Sequence, residues 1–156
     1  TIKVQSQNYK IKVFENLLDG SEHFALIKGN IKKNKKPRVR VISSNIVKNY
    51  LMGENLPNSF NQTIEHFKNH KDCVLIFIRD TNLKSVSETL KGYKSKNFYK
   101  KGHDKLIKNY GIGAQIIKSL NIRNMILVTR SKKKVVGLEG YGIKIIKQEI
   151  IKWKYA

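Results

Sequence analysis

An uninterrupted apolar run, CVLIFI, occupies residues 73–78 and limits the folds that this chain can adopt. A strand with one face in water alternates apolar and polar residues, whereas an unbroken apolar run of strand length must be covered on both faces. A similar run, MILVT, occupies residues 125–129, and apolar residues recur at helical spacing over residues 105–120 between the two. Asn121 is placed to close that helix. The sequence therefore predicts a buried parallel sheet with flanking helices.

The first part of the chain reads as β-strands. YKIKVFE alternates polar and apolar residues, HFALIKGNI follows an Asp-Gly turn signal, and RVRVIS alternates arginine with valine. After MILVT, a short helix is predicted over residues 133–141 and a strand at IKII, which makes a parallel pair with a right-handed crossover. The predicted fold class is α/β, or mixed α+β, with N-terminal antiparallel strands followed by a mixed or parallel sheet, in one domain over residues 1–156.

Size and cysteine content narrow the class of protein. A chain of 156 residues with 40% hydrophobic content can form one compact domain. The single cysteine, Cys73, falls inside the buried run, which predicts an unpaired thiol in a reducing, cytoplasmic compartment. No apolar stretch is long enough to span a bilayer, so no membrane association is predicted. The chain lacks an initiating Met, which suggests a fragment of a longer polypeptide.

A formal net charge of +21 raises the hypothesis of a basic nucleic-acid-binding module held to phosphates by counterion release. Only five of the 32 basic residues are Arg, however, and Arg recognises base edges better than Lys does. The lysines are spread along the chain without a zinc-finger, RNP or basic-zipper pattern. Nucleic acid is therefore disfavoured as a partner, whereas a small phosphate-bearing molecule is compatible with this charge.

The stretch VTRSKKKVVG at residues 128–137 is a candidate anion site. Thr129 ends a predicted strand, Ser131 precedes the predicted helix, and three lysines follow. Ligands bind beyond the carboxyl ends of parallel strands, and the N–H groups at a helix N-terminus favour an anion. Alternatively, Ser131 is only a helix cap and the lysines form a solvated face. The residues alone leave both interpretations open.

Four segments, EHFALIKGNI, RVRVIS, NYGIGAQIIKSLNIRNMILVT and VVGLEGYGIKI, resemble in order and spacing the GTP cyclohydrolase II family. The resemblance covers nearly the whole chain, and YGIGAQII and GLEGYGI are its specific parts. It implies the fold of a zinc enzyme that opens the guanine ring of GTP at the start of riboflavin synthesis, and a homodimer. FENLLDGSEHFALIKG resembles the junction at which this domain follows a 3,4-dihydroxy-2-butanone 4-phosphate synthase domain in bifunctional polypeptides.

The resemblance also shows where the chemistry of the family is missing. Family members hold a catalytic zinc with three cysteines, the first shortly after RVRVIS, where this chain has Asn45. No cysteine lies between residues 43 and 62, so no zinc cofactor and no metal ligand are predicted. His66 and His70 have the spacing that can share a metal, but no third ligand is evident in the sequence. Exposed helix histidines are the favoured interpretation.

Other family positions are partly retained. Tyr93 matches the position of a catalytic tyrosine, and the residues that match nucleotide or phosphate contacts, or are placed beside them, are Arg40, Arg79, Thr129, Ser131 and Lys134. The acidic residue and the arginine that precede YG in the family are replaced by Leu106 and Lys108. The glycines of the phosphate-binding segment after the central strand are lost.

The sequence therefore predicts a degenerate GTP cyclohydrolase II-like domain of a riboflavin-biosynthesis protein. Without ring-opening activity, it would serve a structural, dimer-forming or regulatory role and could still bind GTP or a phosphate anion. The alternative is an active nucleotide-processing enzyme, either a GTP cyclohydrolase II or a zinc-independent enzyme that uses Tyr93, Lys108 and Arg79. The nucleic-acid module is the third hypothesis.

Overall fold

The structure is a computed structural model that describes residues 1–53, 55–94, 111–132, 135 and 137–151. Its strands are β1 (Ile2–Val4), β2 (Gln7–Glu15), β3 (Glu22–Lys28), β4 (Arg38–Ser43), β5 (Cys73–Ile78), β6 (Asn124–Thr129) and β7 (Lys144–Ile150). The helices are α1 (Ile46–Tyr50), α2 (Leu56–Lys68), α3 (Ser85–Lys94) and α4, which includes residues 111–119. A single turn of 3₁₀ helix covers Glu139–Tyr141.

The seven strands of the described residues belong to one mixed sheet with the order β1-β2-β3-β5-β4-β6-β7. The pairs β1-β2, β2-β3 and β3-β5 are antiparallel, whereas β4 is parallel to both β5 and β6, and β6 is parallel to β7. The predicted fold class is confirmed, since antiparallel N-terminal strands precede a parallel part. The carboxyl ends of β4, β5, β6 and β7 lie along one edge of the sheet, which we call the carboxyl edge. The antiparallel strand β3 begins there.

The central strand β5 is covered on both faces, as its apolar sequence predicts. Val74, Ile76 and Ile78 pack in one cluster with Ile116 and Ile117 of α4. Cys73 and Leu75 pack on the opposite face with α2 residues, which include Ile64 and Phe67. Two apolar layers therefore fix the positions of α2 and α4 on the sheet. None of the helices in the described ranges is long and apolar enough to cross a membrane.

Helix α4 ends at the residue that the sequence predicts. Asn121 takes a left-handed conformation with φ of 60°. Its N–H donates to the carbonyl of Lys118 over 2.9 Å, and the N–H of Ile122 donates to the carbonyl of Ile117 over 3.3 Å. This pair of bonds is the Schellman motif, which satisfies the last carbonyls of a helix. Residues 105–110 of the predicted helix lie outside the described part of the chain.

Two local predictions are wrong. The helix expected over residues 133–141 is not formed at Val135, and only the 3₁₀ turn at Glu139–Tyr141 is helical in the described part of that segment. Gly137 and Gly142 both have positive φ, which interrupts helical geometry on either side of the turn. Strand β4 does not alternate between core and solvent, because Arg40 is buried with 7% of its surface exposed. Both faces of β4 are covered, because Val39 packs in the cluster with α4 and Ile42 packs in the cluster with α2.

Candidate functional site

Asn45, which follows β4 at the carboxyl edge, is buried and hydrogen-bonded through both ends of its side-chain amide. Its Oδ1 accepts from the N–H of Lys48 over 3.0 Å, which caps the N-terminus of α1. Its Nδ2 donates to Oδ2 of Asp80 over 3.0 Å and to Oγ1 of Thr89 over 3.1 Å. Asn45 therefore ties together the end of β4, the segment after β5, and helices α1 and α3.

These contacts test whether the position can hold the zinc that the resemblance implies. Zinc in proteins is held by thiolate, imidazole or carboxylate groups, and a neutral amide is a poor ligand. The amide of Asn45 already has three partners, and the chain's one cysteine, Cys73, begins β5 at the opposite edge of the sheet. Burial raises the pKa of the Cys73 thiol to about 12, which keeps it protonated. The residues at Asn45 do not fit a family-type zinc.

His23, at the start of β3, lies beside the end of β5 because these strands are antiparallel. Its Nδ1 accepts a hydrogen bond from the backbone N–H of Arg79 over 3.0 Å, and its Nε2 lies 3.3 Å from Oγ of Ser21. Burial lowers the pKa of His23, and the Arg79 charge acts in the same direction against an opposing effect of Asp19. A neutral imidazole is the form that can accept at Nδ1. His23 therefore holds the backbone at Arg79 in place.

Thr129 ends β6 at the carboxyl edge, with 2% of its surface exposed. Its carbonyl accepts from the N–H of Ile151 over 2.8 Å, but its Oγ1 has no hydrogen-bond partner among the described residues. Buried hydroxyl groups in folded proteins are nearly always hydrogen-bonded. The Thr129 hydroxyl is therefore a candidate for hydrogen bonding to a ligand or a water molecule that reaches this buried position.

The structure does not bring Arg40 and Thr129 to one face of the sheet. Arg40 lies in the middle of β4, on the α2 side, where its guanidinium donates to Oγ of Ser59 over 3.3 Å and to the carbonyl of Val128 over 3.4 Å. Thr129 follows Leu127 by two residues, so its side chain is on the α4 side. The resemblance matched both residues to the active site, but their side chains leave the sheet in opposite directions.

Three further predicted site residues, Arg79, Tyr93 and Ser131, lie at or near the carboxyl edge. The Arg79 side chain is exposed, and its Nη1 lies 3.5 Å from the carbonyl of Glu22. Tyr93 lies one turn after Thr89 on α3 and is 63% exposed. Ser131 is exposed and does not cap a helix, because the predicted helix after it is absent at Lys132 and Val135. Lys134, Leu106 and Lys108 lie outside the described residues.

A second polar cluster lies on the α2 side of the sheet. Nε2 of His66 lies 2.5 Å from Oε1 of Glu149 on β7, and Nε2 of His70 lies 3.6 Å from the same oxygen. The two histidine side chains are 23% and 24% exposed, so the interpretation of exposed helix histidines is wrong. Burial lowers the pKa of His70, as do the nearby charges of Arg38 and His66. Glu149 is the third ligand-type residue that the sequence did not reveal.

Four residues of these sites were not predicted from the sequence: Glu149, Asp80, Thr89 and His23. Nothing in KIIKQEIIKW distinguishes Glu149 from an ordinary surface residue, because its partners are 79 or more positions away in the chain. Asp80 carried a weak signal, since it comes two residues after a buried strand, where polar groups of open sheets collect. His23 and Thr89 carried no such signal.

Comparison with known proteins identifies the family. A model of the GTP cyclohydrolase II family matches residues 1–150. The chain is 28% identical over 164 aligned residues to the riboflavin biosynthesis protein RibBA of Bacillus subtilis, covering 93% of this chain and 39% of that protein. It is 32% identical to the chloroplastic monofunctional riboflavin biosynthesis protein RIBA 2 of Arabidopsis thaliana, covering 88% of this chain and 30% of that protein.

The RibBA protein of Phocaeicola vulgatus is also 32% identical, over 89% of this chain and 37% of that protein. This chain thus spans about two fifths or less of the length of these relatives. Within the chain, the family match extends over all seven strands of the sheet. The chain therefore belongs to the GTP cyclohydrolase II family.

Proposed function

We propose that this chain is a degenerate GTP cyclohydrolase II-like domain that does not open the guanine ring of GTP. It serves a riboflavin-biosynthesis polypeptide in a structural, dimer-forming or regulatory role. Family membership and the printed names of the relatives support the pathway. The missing thiolates support the loss of the reaction, because this family's chemistry depends on a metal-activated water.

The observation that carries the proposal is the hydrogen bonding of Asn45. Where the resemblance expects the first zinc thiolate, a buried amide joins Lys48, Asp80 and Thr89 with donor to acceptor distances of 3.0–3.1 Å. A thiolate at this position could not donate to the Asp80 carboxylate, so the surroundings of Asn45 are adapted to an amide. The change is therefore part of the packing at the carboxyl edge and not an isolated substitution.

The proposal is tested by assaying formate and pyrophosphate release from GTP in the presence of added Zn²⁺ and Mg²⁺. A GTP cyclohydrolase II that retains the three zinc cysteines serves as the positive control. We expect no product above the background without protein. Robust formation of formate and pyrophosphate would contradict the proposal and favour the alternative of an active nucleotide-processing enzyme.

We also propose that GTP or a phosphate anion still binds at the carboxyl end of β6, through Thr129, Ser131 and Lys134. The buried Thr129 hydroxyl, which has no hydrogen-bond partner in the described part of the chain, supports this site. The site does not rely on the N-terminus of the predicted helix, because the chain is not helical at Lys132 or Val135. The exposed Arg79 lies at the same edge and can add positive charge, whereas Arg40 is held on the α2 side by Ser59.

Calorimetric titration with GTP tests this residual site. We expect saturable binding at moderate salt, weakened by Thr129→Val and by Lys134→Ala. Lys132→Ala is the matched control, because it removes the same charge two residues away. Equal effects of the two lysine variants, or no saturable binding, would show that the lysines are only a charged surface.

We further propose that the domain is a homodimer, and that in its natural polypeptide it is joined to a 3,4-dihydroxy-2-butanone 4-phosphate synthase domain. The resemblance supports both, and the greater length of the relatives is compatible with a second domain. Light scattering on the purified 18.1 kDa chain should give about twice that mass. The coding sequence upstream of Thr1 tests the fusion directly.

A further inference from the structure

Two histidines of one chain segment and a glutamate of the edge strand converge on the α2 side of the sheet. His66 lies in the last turn of α2 and His70 two residues after its end, so their rings are adjacent, with centroids 4.9 Å apart. Glu149 reaches them from β7, and one ligand atom from each of the three side chains lies within 4.8 Å of the others. Two imidazoles and a carboxylate form a ligand set that binds zinc in proteins.

We propose that His66, His70 and Glu149 bind a divalent transition metal ion of the zinc class. Imidazole ligands suit Zn²⁺, Cu²⁺ and Ni²⁺, whereas Mg²⁺ and Ca²⁺ prefer oxygen ligands throughout. The side chains are 19% to 24% exposed, so an ion from solution can reach the cluster. Nothing in the family comparison assigns a metal to these residues.

The three ligand atoms lie within 4.8 Å of one another, so small side-chain rotations bring them to the spacing that a bound ion requires. Metal bonds of about 2.0–2.2 Å in a tetrahedral site place ligand atoms about 3.3 Å apart. Oε1 of Glu149 is now 2.5 Å from Nε2 of His66 and 3.6 Å from Nε2 of His70. The ion would take the place of the proton between His66 and Glu149, and side-chain rotations would move the ligand atoms by about 1 Å.

Arg38 orients the carboxylate that completes the cluster. Its Nε donates to Oε1 and Oε2 of Glu149 over 3.0 and 3.2 Å. Ligating carboxylates are commonly held by such hydrogen bonds, and each oxygen has lone pairs for both partners. The charges of Arg38 and of Lys147, whose Nζ is 3.9 Å from Oε2, oppose a cation. The affinity should therefore be lower than that of a site built from thiolates.

This cluster is distinct from the position at which the family holds zinc. Arg38, which contacts Glu149, begins β4, whereas Asn45 follows the opposite end of that strand. In the sheet register Glu149 is level with Arg40, five residues before Asn45, and β7 is two strands away from β4, so the two positions are about 20 Å apart. A bound ion would join α2 to the edge strand β7. The inference does not depend on the proposed loss of GTP ring opening.

The test is calorimetric titration of EDTA-treated protein with ZnCl₂ and, separately, with MgCl₂. We expect one equivalent of Zn²⁺ and no measurable binding of Mg²⁺. His66→Gln and His70→Gln should each weaken Zn²⁺ binding by about tenfold or more. Glu65→Gln is the matched control, because it removes an exposed carboxylate from the same helix, and it should leave the affinity within about twofold of the wild type.

Two further measurements separate metal binding from folding. Co²⁺ should give the intense visible absorption of a tetrahedral site in the wild type and in Glu65→Gln, but not in His70→Gln. Circular dichroism of each variant establishes that it is folded, and Zn²⁺ should raise the melting temperature only where both histidines are present. Zinc binding that is unchanged in the folded histidine variants, or no zinc binding by the wild type, would overturn the proposal.

Discussion

Among single residues, Asn45 has a structural role, because its buried side chain joins three parts of the chain. Asn45→Ala removes a helix cap and leaves Asp80 and Thr89 without their shared donor. Loss of a cap costs about 1 kcal/mol, and loss of the hydrogen bonds to Asp80 and Thr89 costs about 1–3 kcal/mol more. We expect the free energy of unfolding in urea to fall by about 2–4 kcal/mol.

Asn55→Ala is the matched control for this prediction. Asn55 caps α2 through a bond of 3.0 Å to the N–H of Asn58, but that bond is exposed. Loss of this bond should lower the free energy of unfolding by only about 1 kcal/mol. Equal costs for the two variants would mean that the contacts of Asn45 with Asp80 and Thr89 contribute nothing beyond the cap.

His23 gives a prediction for the pH dependence of stability. Burial lowers its pKa in the folded state, whereas in the unfolded chain the pKa returns to about 6.5. The unfolded state therefore binds the proton more readily, so the contribution of His23 is fully present above about pH 6.5 and is lost as the pH falls towards the folded pKa. Urea denaturation of the wild type and of His23→Gln at several pH values measures this contribution of His23 to stability.

The stability advantage of the wild type over His23→Gln should shrink between pH 7.5 and pH 5.5. Glutamine can accept the hydrogen bond from the Arg79 N–H but does not titrate in this range. All other titrating groups are common to both proteins, and their contributions cancel in the difference. A difference that stays constant across this range would show that His23 titrates normally in the folded state.

At the scale of elements, the connection after β3 depends on one glycine. Gly29 has φ of 75°, and a Cβ there would overlap the carboxylate of Asp72 and the carbonyl of Lys71. Asp72 accepts hydrogen bonds from Asn30 and Asn34, so this carboxylate cannot move without losing them. Gly29→Ala should lower the free energy of unfolding by about 2–4 kcal/mol, measured in urea.

Gly53→Ala isolates the steric part of this cost. Gly53 has the same φ of 75°, but a Cβ there would meet nothing within 4 Å. Only the left-handed backbone conformation is then penalised, by about 1–2 kcal/mol. Similar losses in both variants would indicate that the segment at Asp72 adjusts to the added methyl group.

At the scale of the whole molecule, the charge balance should make stability depend on salt. Thirty-two basic residues and only 11 acidic residues leave far more repulsive than attractive pairs. Salt screens exposed charges beyond about 10 Å at 0.1 M ionic strength, so it should relieve the repulsion more than it weakens individual ion pairs. The free energy of unfolding in urea should rise between 20 and 200 mM NaCl. Unfolding should occur in a single transition if residues 1–156 form one domain. A fall in the free energy of unfolding with added salt would contradict the expected salt dependence.

Elements with local signals could be predicted from the sequence alone. The apolar runs at residues 73–78 and 125–129 became buried strands, and Asn121 closes α4, because periodicity and helix caps depend on neighbours within a few residues. The order of the short motifs likewise predicted the family. Tertiary structure decided the burial of Arg40 and the meeting of Glu149 with His66. Both depend on which strands become neighbours, and strand order is a property of the folded sheet that no local pattern encodes.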